Sequence, residues 1–336
     1  MKFRFLMDYA QRFKACSLAS TVALFCIGST AAWAQSDIPP LTITTGGPNG
    51  TYYAFAEDIK QMLPRNTPFE IVESDGSIEN LRRLLGYDIQ NQNRHFQLAL
   101  VQADVLEQLR ERSRSNQILS DIVDRIKVVL PLYNEEVHVF TLTDNAATSL
   151  ADIKERGLTV AAGDERSGHN MTARWLFDLQ ANVESPLDWS NGDYDDGLPG
   201  LGEDYDVAFY VAGAPSEFAQ KIPTDKGVTL MPLDLPNVPG GRDSPYSSAV
   251  IERGTYPWLK EDVRTISVRA LLVAFDYDEA NPYCQQIADM TRRIVETYPS
   301  MVQAGVGHEK WADVDLTTAA SRGDLYRCSE PVLNGR

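Results

Sequence analysis

Residues 41–63 read LTITTGGPNGTYYAFAEDIKQML. Leu41 to Thr45 is a short β-prone run. It ends at Gly46-Gly47-Pro48-Asn49-Gly50, a cluster that breaks regular structure. A helical pattern follows, with Phe55, Ile59, Met62 and Leu63 on one face, and Pro64 stops it. Glycines let the backbone approach a ligand closely. Free N–H groups at a helix start, with the helix dipole, suit a carboxylate or phosphate. The turn has neither the lysine of a P-loop nor the spacing of a GxGxxG motif, so no nucleotide is expected. A plain tight turn is the other reading of this segment alone.

The same junction recurs along the chain. Phe69 to Val72 reads as a strand, and Ser77 opens a helix carrying Ile78, Leu81, Leu84 and Leu85, unless it serves only as its cap. Leu98 to Val101 is a third strand, with Gln102 at its C-terminal end and a helix carrying Val105 and Leu109 behind it. Val128 to Leu132 and Val137 to Leu142 are two further strand-like runs. Ser149 starts a short helix. Leu158 to Ala162 runs through a polar turn into a helix over Asn170 to Leu179, and Ser167, His169 and that helix start offer a second anion-binding surface. The acidic stretch from Asp188 to Asp206 reads as a solvated loop. Val207 to Tyr210 is a strand entering a helix through Gly213. Val228 to Leu233 is another strand, Pro236 to Pro245 reads as a linker, Ile266 to Val273 is a strand, and a long helix follows Pro282. This alternation predicts an α/β fold with mainly parallel sheets. The length of 336 residues suggests about two domains. Ligands of open α/β sheets sit at the C-terminal ends of strands, and such junctions converging between two lobes make a binding-protein layout.

Hydrophobic residues are 43% and charged residues 23% of the chain, ordinary globular values. Asp plus Glu is 47 against 31 Lys plus Arg, a net charge of −16, which disfavours nucleic acid or an anionic membrane as partner. Lys2, Arg4, Arg12 and Lys14 precede an apolar run from Cys16 to Ile27, and Ala32-Trp33-Ala34 has the form of a cleavage site. The run is too short for a span of about 20 residues. The expectation is a signal peptide over residues 1–34 and a periplasmic product. Two of the four cysteines leave with it. Cys284 and Cys328 remain as an even pair, expected to form a disulfide between the tail and a late helix.

Two chemical alternatives are weak. Ser167 is not in a GxSxG elbow, and His169, one of four histidines with His95, His138 and His308, sits two residues away, badly placed to be its base. Glu136 and His138 share a strand face, yet two ligands do not make a metal site and HExxH is absent. No catalytic residue, metal or cofactor is expected.

Taken together, TGGPNGTYY at 45–53, DGSIENLRRL at 75–84, LALVQADV at 98–105, LPLYNEEVHVF at 130–140, SLADIKERGLTVAAGDERSGHN at 149–170, DVAFYVAGAP at 206–215 and YSSAVIERGTYPW at 246–258 resemble the TAXI solute-binding proteins, extracytoplasmic subunits of TRAP transporters. The resemblance implies a type II periplasmic binding protein of two α/β lobes with the ligand cleft between them. Residues 35–141 would form the first part of lobe 1, 142–245 lobe 2, and 246–336 the return to lobe 1. The crossing segments would lie near Asn134 to Phe140 and Tyr246 to Ile251. It further implies a monomer that captures a small carboxylated solute, such as glutamate, glutamine or a dicarboxylate, and delivers it to a TRAP-type permease. A subunit feeding a sensor kinase would look alike. Asn49, Gly50, Thr51 and Tyr52 match the first ligand loop, Ser77 the second motif and Gln102 the third. Ser167 and Gly168 match the start of the second-lobe helix, and Tyr210 and Gly213 the later strand end. The chain departs from the family at His169, where threonine is usual, and at Asp164-Glu165-Arg166, where smaller residues are common.

Overall fold

The computed structural model describes residues 39–86, 94–181, 189–190, 198–233, 245–316 and 324–335. In chain order the elements are β1 (Leu41–Thr44), α1 (Thr51–Met62), β2 (Phe69–Val72), α2 (Ser77–Leu84), β3 (Leu98–Gln102), α3 (Ala103–Ser113), α4 (Gln117–Val123), β4 (Ile126–Leu142), α5 (Leu150–Glu155) and β5 (Val160–Ala161). Then come α6 (Gly168–Ala181), β6 (Trp189–Ser190), β7 (Val207–Ala212), α7 (Glu217–Gln220), β8 (Val228–Leu230), β9 (Tyr246–Ile251), β10 (Val263–Phe275), α8 (Pro282–Gln303) and α9 (Glu330–Asn334).

The strands form one sheet in the order β2-β1-β3-β10-β4-β7-β5-β6, with β8 on β4 and β9 on β10. The sheet is mixed, which corrects the expectation of mainly parallel pairing. β1 is parallel to β2 and β3, and β5 to β6 and β7, whereas β10 and β4 run antiparallel to each other and to their other neighbours. The two parallel groups are thus joined through two long central strands.

The two runs expected at 128–132 and 137–142 are a single 17-residue strand, β4. The polar residues Asn134 to Glu136 hide its continuity in the sequence. Pro131 lies opposite Leu271, beside a register shift, where an absent N–H is tolerated. Val129 and Leu130 of β4 pack in the core of the first half, and Val137 and Val139 in that of the second. β10 makes the same crossing in reverse: Ile266 and Val268 belong to the second half, Ala270 and Leu272 to the first. Tyr246–Ile251 is therefore not a crossing segment. It pairs only with residues 263–268 of β10, and both its ends are buried in the second half.

Each half has helices on both faces of its part of the sheet. On one side of the first half, Phe55 and Ile59 of α1 and Ile287, Met290 and Ile294 of α8 cover β1 and β3; on the other, Leu81 of α2 and Val105 of α3 do so. The helical face read from the sequence is the buried one. Of the acidic stretch, Leu198, Leu201 and Tyr205 are buried rather than solvated, because well-spaced apolar side chains fill a gap near Phe218 and Leu230. The segment 236–245 falls outside the described residues except for Pro245, as does the signal segment 1–34. Cys284 and Cys328 are bonded, joining α8 to the tail. Among the described residues no helix is long and apolar enough to cross a membrane.

Candidate functional site

A cavity of about 100 Å³ opens where the strand ends of both halves meet. Its walls come from the turn after β1 (Gly46, Gly47, Gly50), the start of α1 (Thr51, Tyr52) and the turn into α2 (Asp75, Gly76, Ser77). Gln102 closes β3, Glu135 comes from β4, Gly168 and His169 begin α6, and Tyr210 to Ala212 end β7. Among the described residues no lysine or arginine lines it.

The capping of the helices separates the site from its scaffold. Asn116, Ser149, Ser216 and Asn281 cap α4, α5, α7 and α8 through their side chains. The helices α1 and α2, whose first residues border the cavity, and α3, which follows the lining residue Gln102, begin at Gly50, Gly76 and Gln102 with no side-chain cap bond. The first N–H groups of a helix have no carbonyl of their own to meet. In α1 and α2 the residues that border the cavity are Thr51, Tyr52 and Ser77, while the Tyr53 and Glu79 N–H groups bond the Gly50 and Arg166 carbonyls, and the dipoles give that wall a positive potential.

The polar side chains form a short chain across the floor. The Tyr52 hydroxyl donates to Glu135 Oε2 at 2.8 Å and lies 3.5 Å from Ser77 Oγ. Ser77 Oγ accepts the Gln102 backbone N–H at 3.1 Å. The Gln102 side chain is 3% exposed, and its Nε2 has no acceptor. Glu135 is buried, and among the described residues its side chain accepts from Tyr52. Burial, reinforced by the charges of Asp104 and Glu136, pushes its carboxyl well above the usual range. Its neighbour in sequence, Glu136, faces away. It accepts from Lys310 Nζ at 2.8 Å and from the Ala214 N–H. His169 packs against Tyr210 with ring centroids 5.4 Å apart. Desolvation pushes its pKa down to about 4, so the imidazole is neutral near pH 7.

Of the residues singled out in the sequence, Gly50, Thr51, Tyr52, Ser77, Gln102, Gly168, His169 and Tyr210 line this one cavity. Three do not. Asn49 is exposed on the outer side of its turn. Ser167 is buried with its hydroxyl spent on the backbone, donating to Asp164 O at 2.7 Å and accepting the Asn170 N–H at 3.2 Å. Gly213 packs under Lys310 and Tyr133. Sequence reasoning missed Asp75 and above all Glu135. The signal was two carboxylates interrupting an apolar strand, where alternation sends one to each face. His138 and Glu136 are both engaged elsewhere, His138 Nε2 being 2.7 Å from the Tyr256 hydroxyl. The described residues hold no group of three metal-ligating side chains.

The halves touch around the cavity rim. The Glu79 N–H donates to Arg166 O at 3.1 Å, and the Arg166 guanidinium meets Asp75 at 2.6 Å. Asp104, fully buried, accepts from Thr172 Oγ1 at 2.7 Å and from the Tyr246 hydroxyl. Gly76 has φ +117° and passes so close to Ser167 that a Cβ there would stand 3.4 Å from its Cα. These contacts hold the two halves against each other beside the cavity. Arg166 and Asp75 are each about 40% exposed, so their pair contributes little. Arg166→Ala is expected to weaken ligand affinity by only about two- to five-fold at low salt. Titration calorimetry at low and high salt checks this, the difference shrinking as salt screens the pair.

Among solved structures, one described as that of a periplasmic transporter matches with 12% identity, covering 88% of this chain and 96% of that one, at a TM-score of 0.50. An ATP-bound Xanthomonas citri protein, XAC2383, matches with 11% identity over 88% of this chain and 97% of that one, at a TM-score of 0.46. No curated protein matches the sequence. The fold is that of a two-lobed periplasmic binding protein. Residues 43–324 match the NMT1-like family, and the chain belongs to it.

Proposed function

We propose that this chain is a periplasmic solute-binding protein of the TAXI type, exported by a signal peptide cleaved after Ala34. It captures a small carboxylated solute between two lobes and delivers it, as a monomer, to a TRAP-type permease. The reading is of a binding subunit rather than an enzyme, and it is supported by Ser167, whose hydroxyl bonds the backbone at the start of α6. The observation that carries the reading is the cavity between the strand ends, where three helices without side-chain caps meet the orphaned Gln102 amide. A ligand carboxylate at these donors satisfies groups that are otherwise costly to bury. The lobes divide along β4 and β10, with residues 134–136 and 267–269 as the hinge. Ligand binding favours the closed state by its differential affinity.

The test is a thermal-shift screen of residues 35–336 against amino acids, dicarboxylates, keto acids and sugars. A ligand that binds only the native state raises the melting temperature by mass action, by the equivalent of about 2.7 kcal/mol at a hundred times Kd. A hit among carboxylated compounds is expected. A hit confined to sugars overturns the reading.

A further inference from the structure

A second cavity, of about 250 Å³, is walled by both halves and shares no lining residue with the first. From the first half come Ile78 of α2 and Gln108 and Arg112 of α3; α6 and the turn before it supply the rest. Its charge differs from that of the first cavity. Two guanidiniums, Arg112 and Arg174, and one carboxylate, Glu165, line it. Arg110 and Arg114 pair with Asp324 and Glu111, whereas Arg112 between them makes no ion pair among the described residues. Arg174 is oriented by its Nε, which donates to Asn170 Oδ1 at 2.8 Å, and Asn170 is fixed in turn by Gly163 O at 3.0 Å. Glu165 stands 3.8 Å from Arg174 and is 78% exposed, so it neutralises little. Gln108 adds a buried amide nitrogen with no acceptor, a costly group to leave unmet.

The remaining walls are apolar. Ile78 and Met171 pack against the core of the first half, and Trp175 is held by stacking on Tyr246 with ring centroids 4.9 Å apart. Two positive charges against one negative leave room for a single anionic group. The volume lies below the roughly 300 Å³ at which ligand pockets commonly begin, which keeps the occupant small. Inorganic phosphate would leave the apolar walls unused. An amino acid would bring its ammonium against the guanidiniums.

We propose that this cavity is a second ligand site, taking a small monocarboxylate with an apolar or aromatic body. The carboxylate meets Arg112, Arg174 and the Gln108 amide, and the body lies against Trp175 and Met171. The site goes beyond the solute cavity and does not depend on which solute that cavity takes.

The experiment is titration of the mature chain with benzoate, acetate and benzyl alcohol, followed by calorimetry and by tryptophan emission. Benzoate is expected to bind at least about ten-fold more tightly than acetate, which lacks the apolar body, or benzyl alcohol, which lacks the charge. Arg112→Gln, at an exposed position of α3, leaves the melting temperature unchanged and weakens benzoate by about ten-fold, as the loss of a hydrogen bond to a charged group requires. Trp175→Phe keeps an aromatic wall, so benzoate still binds while the emission change is lost. Absence of benzoate binding overturns the proposal, as does benzyl alcohol or acetate binding equally well. An unchanged benzoate affinity in Arg112→Gln, or an unchanged emission response in Trp175→Phe, seats the compound elsewhere and overturns it too. None of these results bears on the solute screen above, which stands or falls separately.

Discussion

Gly168→Ala is expected to lower ligand affinity by about a hundred-fold or more while leaving the protein folded. A Cβ at position 168 would stand 1.5 Å from Gln102 Oε1, 2.6 Å from its Cδ and 2.9 Å from Ser77 Oγ. No atoms tolerate such distances, so Gln102 must leave its place. The Gln102 amide nitrogen is buried without a protein partner, so on the proposed reading its displacement removes a ligand donor as well as the fit between the halves. A hundred-fold loss is about 2.7 kcal/mol, within the range for a lost hydrogen bond to a charged group plus disturbed packing. The fold itself has little to lose. Gly168 is not in the left-handed region, it opens α6, and alanine is the better helix former there. Ser167 still caps the helix through its bond to the Asn170 N–H. Calorimetric titration and a melt separate the two effects. An unchanged affinity would show that ligand does not bind between Gly168 and Gln102.

How much of this was legible in the sequence depends on what each residue had to do locally. The strand–turn–helix junctions were plain, because Gly46 to Gly50 cannot continue a strand and the apolar spacing of Phe55, Ile59 and Met62 has one helical solution. The cavity residues at helix starts followed from them, since Gly50, Ser77, Gln102 and Gly168 all sit where a strand hands over to a helix. Asn49 and Ser167 share those junctions but point elsewhere, one into solvent and one onto its own backbone. Sequence position fixes the turn and not the direction of each side chain within it. Glu135 was missed for the converse reason. It lies inside a strand, and its importance comes from neighbours far along the chain: Tyr52 above it and β10 beside it. The mixed pairing of the sheet was equally illegible. The apolar pattern of β10 is the same whether its neighbours run with it or against it, so topology alone settles direction.

Removing the Cys284–Cys328 bond with the double substitution Cys284→Ser and Cys328→Ser is expected to cost about 4 kcal/mol of stability. The two cysteines are 44 residues apart, and in the chain-entropy view a loop of that size constrains the unfolded ensemble by about that much. At about 2 °C per kcal/mol for a chain of this length, the melting temperature falls by roughly 8 °C. The loss is felt in the first half, where the tail completes the core. Tyr326 and Leu333 are buried there beside Ile287 and Met290 of α8. The tail also adds backbone bonds to β4, Val128 N–H to Asp324 O at 2.9 Å and Tyr326 N–H to Val128 O at 2.8 Å. Without the covalent tie these must hold the tail against its own entropy. Neither cysteine lines the cavity, so ligand affinity at 25 °C is expected to be unchanged. Wild-type protein melted in reductant should match the variant. Equal melting temperatures for oxidised wild type and variant would mean that the tail docks by packing alone. The bond would then mark an oxidising compartment without being what holds the fold there.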